Sequence, residues 1–296
     1  MNITSIGEIL FDIYPTHKKL GGAPLNFIYH IKKLTSNGNI ISRVGKDVLG
    51  NKIINELQRA EISTEFIQQD HLHPTGMALV SLDDDGVPHF KIEPDCAYDF
   101  IEPSDVSDNL INTDTDCLYF GTLAQRSDLS RKTIQSLFDR GLKYFSDINL
   151  RQNFYNKDIL EKTLTAVDFL KVNYEEMHIL NDLLVQTEYS TEQVALELME
   201  RFDLNMIAVT RGENGSSIFE NGKRYDYSNV ETKVVDTTGA GDAFSAILCV
   251  GYLSGLEIQL INKLANDFAT DICQVEGALP KNDRVYESYR EMLGIF

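Results

Sequence analysis

The stretch that decides the fold of this chain reads DTTGAGDAF and covers residues 236–244. Its central residues, 239–241, carry little or no side chain, and the acid Asp242 follows them directly. The apolar segment that begins at Ala243 has the composition of a helix. Bare backbone N–H groups at a helix N-terminus attract an anion, because the helix dipole favours negative charge there. The stretch therefore predicts an anion cradle with a carboxylate beside it.

Such a cradle with an adjacent acid is the minimum equipment for moving a phosphoryl group onto a hydroxyl. A plainer interpretation is a tight turn from a strand into a helix, with an acid in the first helical turn. A dinucleotide-binding fingerprint fits less well than either. Phe244 stands where the third glycine of G-x-G-x-x-G belongs, and no acid ends a second strand about 20 residues later.

Composition limits both the class of protein and its partners. The chain has 296 residues, of which 43% are hydrophobic, enough for one large α/β domain with a sizeable core. The formal net charge of −18 argues against nucleic acid or an anionic membrane as a partner. It also means that a polyphosphate ligand needs local basic groups and a divalent cation.

The cysteine pattern favours a reducing compartment. Cys96, Cys117, Cys249 and Cys273 form no C-x-x-C pair and no metal-ligand spacing. Cys117 and Cys249 lie in apolar runs, so we expect buried thiols. The sequence contains no apolar run of about 18 residues, so no membrane span is predicted. The N-terminus lacks the features of a signal peptide. We therefore expect a cytoplasmic protein without membrane or nucleic-acid partners.

Short apolar strands alternate with helical patterns along the chain. The predicted strands cover residues 2–6, 40–44, 117–120, 144–146, 169–172 and 206–209. The predicted helices cover residues 24–34, 49–60, 129–140, 175–184, 191–202, 240–254 and 258–275. This alternation predicts an α/β fold, in which a mostly parallel sheet is covered by helices on both faces.

Extended segments outside this alternation predict a second, smaller sheet. Residues 76–82 and 87–92 flank an Asp-Gly turn, which is a hairpin signal. Pro88 favours an edge position for its strand, because proline cannot donate to a neighbouring strand. Residues 8–14 form a further extended stretch. We expect these segments to form a lid or a dimer surface outside the main layer.

Three further loops have the composition of ligand-binding segments. GGAPLN at residues 21–26 combines paired glycines, which allow close approach to the backbone, with an asparagine that suits hydroxyl recognition. NYEE at residues 173–176 either caps a helix or holds hydrated Mg²⁺ and phosphate oxygens. TRGENG at residues 210–215 follows a strand, where open α/β sheets bind ligands. Taken alone, the first is better explained as an ordinary loop before an amphipathic helix. The alternative for the last is a plain turn into the next hairpin.

Together these segments resemble the signatures of the ribokinase-like (PfkB) family of ATP-dependent sugar and nucleoside kinases. The chain carries them in the family's order: GGAPLN at residues 21–26, GKDVLG at 45–50, NYEE at 173–176 and DTTGAGD at 236–242. The resemblance runs nearly from end to end and implies a single kinase domain over residues 1–296. The implied fold is a three-layer α/β/α sandwich, with a small β-sheet lid from about residues 8–20 and 74–100.

The resemblance also implies roles for particular residues. Asp242 would act as the general base for the attacking sugar hydroxyl. The backbone N–H groups of Gly239, Ala240 and Gly241 would form the anion hole for the transferred phosphoryl group. Three residues would hold the sugar hydroxyls: Asp12, Gly22 and Asn26.

For the co-substrate, the resemblance implies ATP with Mg²⁺. The nucleotide would lie along residues of two loops: Asn173, Thr210, Arg211, Gly212 and Gly215. Glu176 would position Mg²⁺ through water. Asp236 matches a position that helps to bind a monovalent cation in some members, which leaves potassium activation open. Many members pair their lids, so the resemblance also implies a homodimer.

The finer resemblance is to fructokinases. It is carried by GEILFD at residues 7–12, the short GGAP loop, DINLR at 147–151 and GALP at 277–280. It implies fructose as the phosphate acceptor and fructose 6-phosphate as the product. Kinases for 2-keto-3-deoxygluconate, ribose or a nucleoside are the alternatives within the family. A sugar-binding sensor without catalysis fits less well, because Asp242 and the turn before it are intact.

Overall fold

Strands and helices alternate along most of the chain in the computed structural model, which describes residues 1–82, 88–103, 114–230, 232–280 and 282–295. The strands are β1 (Ile3–Ile6), β2 (Leu10–Ile13), β3 (Lys18–Gly21), β4 (Asn39–Gly45), β5 (Ile67–Asp70), β6 (Gly76–Leu82), β7 (Pro88–Ile92), β8 (Cys117–Phe120), β9 (Lys143–Asp147), β10 (Phe169–Asn173), β11 (Met206–Thr210), β12 (Ser216–Glu220) and β13 (Lys223–Tyr227). The α-helices are α1 (Ala23–Thr35), α2 (Val48–Arg59), α3 (Asp128–Gln135), α4 (Lys157–Ala166), α5 (Tyr174–Leu180), α6 (Thr191–Phe202), α7 (Ala240–Leu253), α8 (Ile258–Ile272) and α9 (Arg284–Met292).

The main sheet has nine strands in the order β13-β12-β11-β10-β9-β8-β1-β4-β5. Neighbours from β11 to β5 run parallel, and β12 and β13 add an antiparallel hairpin at one end. The predicted α/β fold with a mostly parallel sheet is therefore confirmed. The carboxyl ends of the parallel strands meet along one edge, which is where such sheets bind ligands.

Helices cover both faces of this sheet, because successive strand side chains point in opposite directions. In β8, Tyr119 packs in a cluster with residues of α1, α7 and α8, whereas Leu118 and Phe120 pack with residues of α3 to α6. Cys117 and Cys249 are both buried, as predicted. No helix in the described ranges is both long and apolar enough to cross a membrane.

A separate four-stranded sheet, here called the lid sheet, has the order β3-β2-β6-β7. The predicted strands at 76–82 and 87–92 correspond to β6 and β7, and β7, which begins at Pro88, is an edge strand as predicted. The Asp-Gly turn between them, residues 83–86, lies outside the described residues. Asp47 of the GKDVLG segment caps α2 through Gly50 N (2.8 Å) and accepts a second bond from Thr75 N (2.8 Å), next to β6.

Some boundaries differ from the predictions. The helix predicted at 129–140 ends at Gln135, because the chain turns to bond the hydroxyl of Tyr144, which donates to Leu137 O and accepts from Arg140 N. The helix predicted at 175–184 continues beyond Leu180 only as a π-helical turn. Strands β3 and β5 and helices α4 and α9 had not been predicted. The two strands are short and largely polar, so they show no apolar alternation. The two helices do have an apolar face, with Leu160 and Leu164 buried in α4 and Tyr286 and Tyr289 buried in α9.

Candidate active site

The predicted ligand loops meet at the carboxyl edge of the main sheet. Asn173 and Thr210 end the neighbouring strands β10 and β11 and are paired in register. Asp147 ends β9, the next strand, and is paired with Lys171 of β10. Because these strands are parallel and adjacent, their last residues lie side by side. The α7 N-terminus contacts this edge, since Gly241 approaches Lys171.

Asp242 lies in the first turn of α7, where it meets the first turn of α1. Asn26 Nδ2 donates a hydrogen bond of 2.8 Å to Asp242 Oδ2. Asn26 is buried, and no donor among the described residues reaches its Oδ1. The amide of Asn26 therefore orients the carboxylate and keeps one acceptor for another group. Two segments predicted to bind different substrates converge on this carboxylate.

The turn before Asp242 is closely packed on one side. Gly239 has a φ of +79°, and a Cβ there would lie 2.3 Å from the Ala278 Cβ. A Cβ on Gly241 would lie 3.0 Å from Lys171 Nζ. Ala240 N donates to Thr237 O at 3.2 Å. Among the described residues, the N–H groups of Gly239 and Gly241 donate to no hydrogen bond, so two amides of the predicted anion hole are open.

The environment of Asp242 raises the pKa of its carboxyl to about 7. Burial is the largest cause, and the negative charge of Asp147 adds to it. The Asn26 hydrogen bond and the charges of Lys171 and Arg151 act in the opposite direction. A carboxylate with a pKa near neutrality can accept a proton at working pH and still transfer it onwards.

A buried ion pair lies beneath the open turn. Lys171 Nζ and Asp147 Oδ2 are 2.8 Å apart, and Ser245 Oγ donates to the same oxygen at 3.0 Å. Lys171 is only 6% exposed, and this burial lowers its pKa. The negative charges of Asp147 and Glu176 have the larger combined effect, so the pKa of Lys171 is raised. The pair therefore holds an ammonium group next to Gly241. The sequence did not reveal the partner of Lys171; a lysine inside a predicted buried strand was the available signal.

Glu176 and Asn173 form the capping box that the NYEE spacing predicted. Asn173 Oδ1 accepts from Glu176 N, and Glu176 Oε2 accepts from Asn173 N, both at 2.8 Å. Glu176 Oε1 also accepts from Leu150 N at 2.7 Å. The side chain of Glu176 thus joins the loop after β9 to the start of α5. Helix capping is present, and each carboxylate oxygen keeps a lone pair for a water molecule.

The described residues fit a magnesium ion that keeps most of its water. Within the described ranges, no group of three or more His, Cys, Asp or Glu is arranged to hold a metal directly. Asp147 Oδ1 is buried, and no donor in the described part of the chain reaches it. The charge of Asp147 adds to burial in raising the pKa of Glu176, so the two acids are close together. Mg²⁺ typically binds through one or two carboxylates, several waters and substrate phosphates.

Two of the predicted sugar-binding residues, Asp12 and Gly22, lie in or next to the lid sheet. Gly22 caps α1 with a φ of +111°, and a Cβ there would lie 2.5 Å from Glu8 O. Asp12 is in β2 of the lid sheet, and burial raises its pKa to about 6. The exposed Arg151 lowers the pKa values of Glu8, Asp12 and Asp242, so its charge faces all three acids.

Glu8 is a buried acid that had not been predicted as a site residue. Its Oε2 is reached by no donor among the described residues. Burial raises the pKa of Glu8 to about 7, and the charge of Asp242 adds to the increase. The only signal in the sequence was its place in the fructokinase-like segment GEILFD, which gave no reason to separate it from its neighbours.

The TRGENG loop after β11 is a tight turn into β12. Arg211 N donates to Gly215 O at 2.8 Å, and Gly212 has a φ of +55°. Gly215 has a φ of +80°, and a Cβ there would lie 2.1 Å from Tyr227 O. The Arg211 guanidinium donates to Ser217 Oγ. The loop therefore has the geometry of a tight turn, and both the positive φ and the lack of room for a Cβ require glycine at 215.

The chain is similar to known sugar kinases over nearly its whole length. The model of the pfkB family of carbohydrate kinases matches residues 10–284. An uncharacterized sugar kinase of Pyrococcus horikoshii is 28% identical, with 98% of this chain and 97% of that protein covered. Its crystal structure has a TM-score of 0.86 at 28% identity and covers 99% of this chain and 100% of that one.

Two further comparisons also find similarity to sugar kinases. The structure of the Pyrococcus kinase in complex with ATP has a TM-score of 0.85 at 26% identity, with 98% and 99% of the two chains covered. A fructokinase of Escherichia coli is 25% identical over 84% of this chain and 83% of that protein. Since the family model covers most of its length, this chain belongs to the pfkB family of carbohydrate kinases.

Proposed function

We propose that this sugar kinase transfers the γ-phosphoryl group of MgATP to fructose and forms fructose 6-phosphate and ADP. The observation that carries the proposal is the position of Asp242. Its half-buried carboxylate lies directly after two open backbone amides, 2.8 Å from the Asn26 amide and beside an ammonium group. A base and an anion site are thus adjacent, as in-line transfer to a hydroxyl requires.

In the proposed reaction, the Asp242 carboxylate accepts the proton of the attacking hydroxyl. The hydroxyl oxygen forms a bond to the γ-phosphorus, and the bond from that phosphorus to the bridging oxygen of ADP breaks. A positioned base typically contributes about 10²–10⁴ in rate. The pKa of about 7 suits this step, because a weaker base would accept the proton poorly and a stronger one would be protonated at neutral pH.

The open amides of Gly239 and Gly241, with Ala240 between them, stabilise the charge on the transferred phosphoryl group in this proposal. Preorganised donors of this kind contribute about 10²–10³ in rate each, judged from oxyanion-hole variants. Lys171 adds a full positive charge beside Gly241. On a chain with a formal charge of −18, such a local cation offsets the repulsion of the nucleotide.

For the nucleotide, we propose binding along the loops at the ends of β10 and β11. The supporting contacts are the register of Asn173 with Thr210 and the tight turn that contains Arg211, Gly212 and Gly215. Mg²⁺, held through water by Glu176, would neutralise charge on the phosphates.

Fructose is the finer part of the proposal. It is supported by the fructokinase-like segments and by the fructokinase of Escherichia coli among the relatives. Asp12, Gly22 and Asn26 would hold the sugar, and the positive charge of Arg151 acts on both Asp12 and Asp242.

The test is ADP release measured with MgATP and a panel of acceptors. We expect the highest kcat/KM with fructose, and no ADP release without a sugar. A higher kcat/KM with ribose, a nucleoside or 2-keto-3-deoxygluconate would overturn the choice of acceptor. Melting shifts with a sugar but no ADP release with any acceptor would instead favour a sugar-binding sensor.

We further propose a cytoplasmic homodimer that pairs through the lid sheet. The edge strand β7 presents Phe90, which is 45% exposed, and β6 presents Leu79, which is 41% exposed. All four cysteines are free, as expected in a reducing compartment. Light scattering should give about twice the chain mass of 33.5 kDa; a mass equal to one chain would contradict the dimer.

A further inference from the structure

A lysine of the lid sheet contacts the start of the anion turn. Lys19 Nζ, from β3, and Asp236 Oδ2 are 2.9 Å apart, although the two residues are 217 positions apart in the chain. Both side chains are largely shielded from solvent, with 24% and 17% of their surfaces exposed. No motif of the sequence predicted this contact. It connects the sheet that carries Asp12 to the loop that carries the open amides.

Asp236 uses both of its oxygens to organise that loop. Oδ1 accepts from Thr238 N at 2.9 Å, and Oδ2 accepts from Gly277 N at 3.0 Å as well as from Lys19. Gly277 precedes Ala278, whose Cβ packs against Gly239. Although burial raises the pKa of Asp236, the bonds from Thr238 and Lys19 lower it well below its usual value. The carboxylate is therefore ionised and needs a counter-charge.

The donors around Asp236 do not fit an added monovalent cation. Such an ion needs several oxygen ligands with free lone pairs directed at one point. At Asp236, three N–H donors already occupy the two oxygens. The Lys19 ammonium has the charge of a potassium ion and a similar size, and it brings its own hydrogen bonds.

We propose that Lys19 takes the place of a monovalent cation beside the anion hole, so that this kinase works without potassium. The proposal rests on the proposed phosphoryl transfer. Lys19 neutralises Asp236, which would otherwise repel the phosphates, and so preserves the shape of the turn before Asp242. It also fixes the lid, because Lys19 is paired in register with Asp12 on the adjacent strand.

Further contacts hold Lys19 in this position. Its ammonium lies 5.7 Å from the centre of the Tyr14 ring, which stacks on His17 with centroids 4.5 Å apart. The hydrogen bond to Asp236 is the largest cause of the raised pKa of Lys19. The ammonium is therefore charged throughout the range in which the enzyme would work.

The test compares Lys19→Met with a matched control, Lys18→Met, in tetramethylammonium and in potassium buffers. Lys18 is the neighbouring lysine of β3, and it is exposed. Two quantities are measured: ADP release with the best acceptor, and the Kd of MgATP by calorimetry. The Kd does not depend on the identity of the sugar, so a wrong choice of acceptor leaves this part of the test intact.

We expect the wild type and Lys18→Met to change by less than about twofold between the two buffers. Without potassium, Lys19→Met should lose about ten- to a hundredfold in kcat/KM and bind MgATP more weakly, the loss expected for one hydrogen bond to a charged group. Potassium should restore about tenfold or more. Lys19→Gln replaces Lys19→Met if circular dichroism shows that the latter does not fold.

Two results would overturn the proposal. One is a wild type that potassium activates about tenfold or more. The other is a folded Lys19 variant that potassium does not rescue, which would make the ion pair a structural link only. If no acceptor is phosphorylated while the MgATP affinities follow the expected pattern, the proposed reaction fails and the role of Lys19 stands.

Discussion

Asp236 and Asp242 lie six positions apart in one loop, and their surroundings act on them in opposite directions. Asp236 accepts three hydrogen bonds, one of them from an ammonium group, and its pKa is lowered. Among the described residues, Asp242 accepts one, from Asn26; burial and the charge of Asp147 raise its pKa to about 7. The same residue type therefore serves as an anchor at one end of the turn and as a candidate base at the other.

The difference shows that donors and burial, rather than residue type, decide which acid can take part in proton transfer. A carboxylate with many donors is stabilised as an anion and accepts protons poorly. A carboxylate that is buried among acids gains affinity for protons. The proposed reaction requires both environments in this loop, because the proposed anion site must keep its shape while Asp242 changes its protonation state.

The largest expected effect comes from removing the base. Asp242→Asn should lower kcat by about 10²–10⁴ and leave the Kd of MgATP nearly unchanged, since the amide keeps the shape but cannot accept the proton. Asp236→Asn is the matched variant at the anchor, and its loss in kcat should be smaller. The measurements are ADP release and calorimetry. Wild-type turnover in Asp242→Asn would remove this residue from the chemistry.

The second prediction concerns pH. Asp242 must be deprotonated to act as a base, so kcat/KM should reach a plateau above about pH 7 and fall about tenfold per pH unit below it. Asp147→Asn should move this limb to lower pH, because the charge of Asp147 helps to raise the pKa of Asp242.

Glu8 provides the control for this assignment, because its pKa is also raised to about 7. If Asp242 is the titrating base, Glu8→Gln should keep an acid limb in the pH profile of kcat/KM. A profile that becomes flat in Glu8→Gln, or that does not move in Asp147→Asn, would assign the limb to another group.

The loops of the site could be predicted from sequence because local geometry demands particular residues there. Gly22 and Gly239 have positive φ angles and no room for a Cβ, so their positions are visible as glycines. The spacing of Asn173 and Glu176 is that of a capping box, which predicts the start of a helix. The alternation of apolar strands and helices likewise predicted the main sheet, because parallel strands are buried on both faces.

Contacts across the fold could not be predicted in this way. Lys19 and Asp236 are in contact because the fold brings β3 of the lid sheet next to the turn. No local sequence pattern predicts a contact between residues so far apart in the chain. The pairing of Lys171 with Asp147 depends on the register of β9 and β10. Strand β3 itself has the sequence KKLG, which has no apolar alternation and is held by pairing with β2.

The smallest expected effect is on stability, and it has opposite signs at the two ends of the loop. The folded-state pKa of Asp242 is raised above its usual value of 3.8, so folding loses stability as the pH rises from about 4 to 7. Asp242→Asn removes this penalty and should raise Tm at pH 8, by the equivalent of about 0.5–2 kcal/mol, with a smaller gain at pH 5.

The pKa of Asp236 is lowered, so its carboxylate contributes stability above its unfolded pKa and loses it as the pH falls. Asp236→Asn should therefore lower Tm at pH 8, by the equivalent of about 1–3 kcal/mol for a lost hydrogen bond to a charged group. Thermal melts of both variants at pH 5 and pH 8 check the pair of signs. Equal shifts in the two variants would mean that their surroundings do not distinguish the two acids. Opposite shifts in Tm would show that the ionised Asp242, the proposed base, destabilises the fold and that the ionised Asp236 stabilises it.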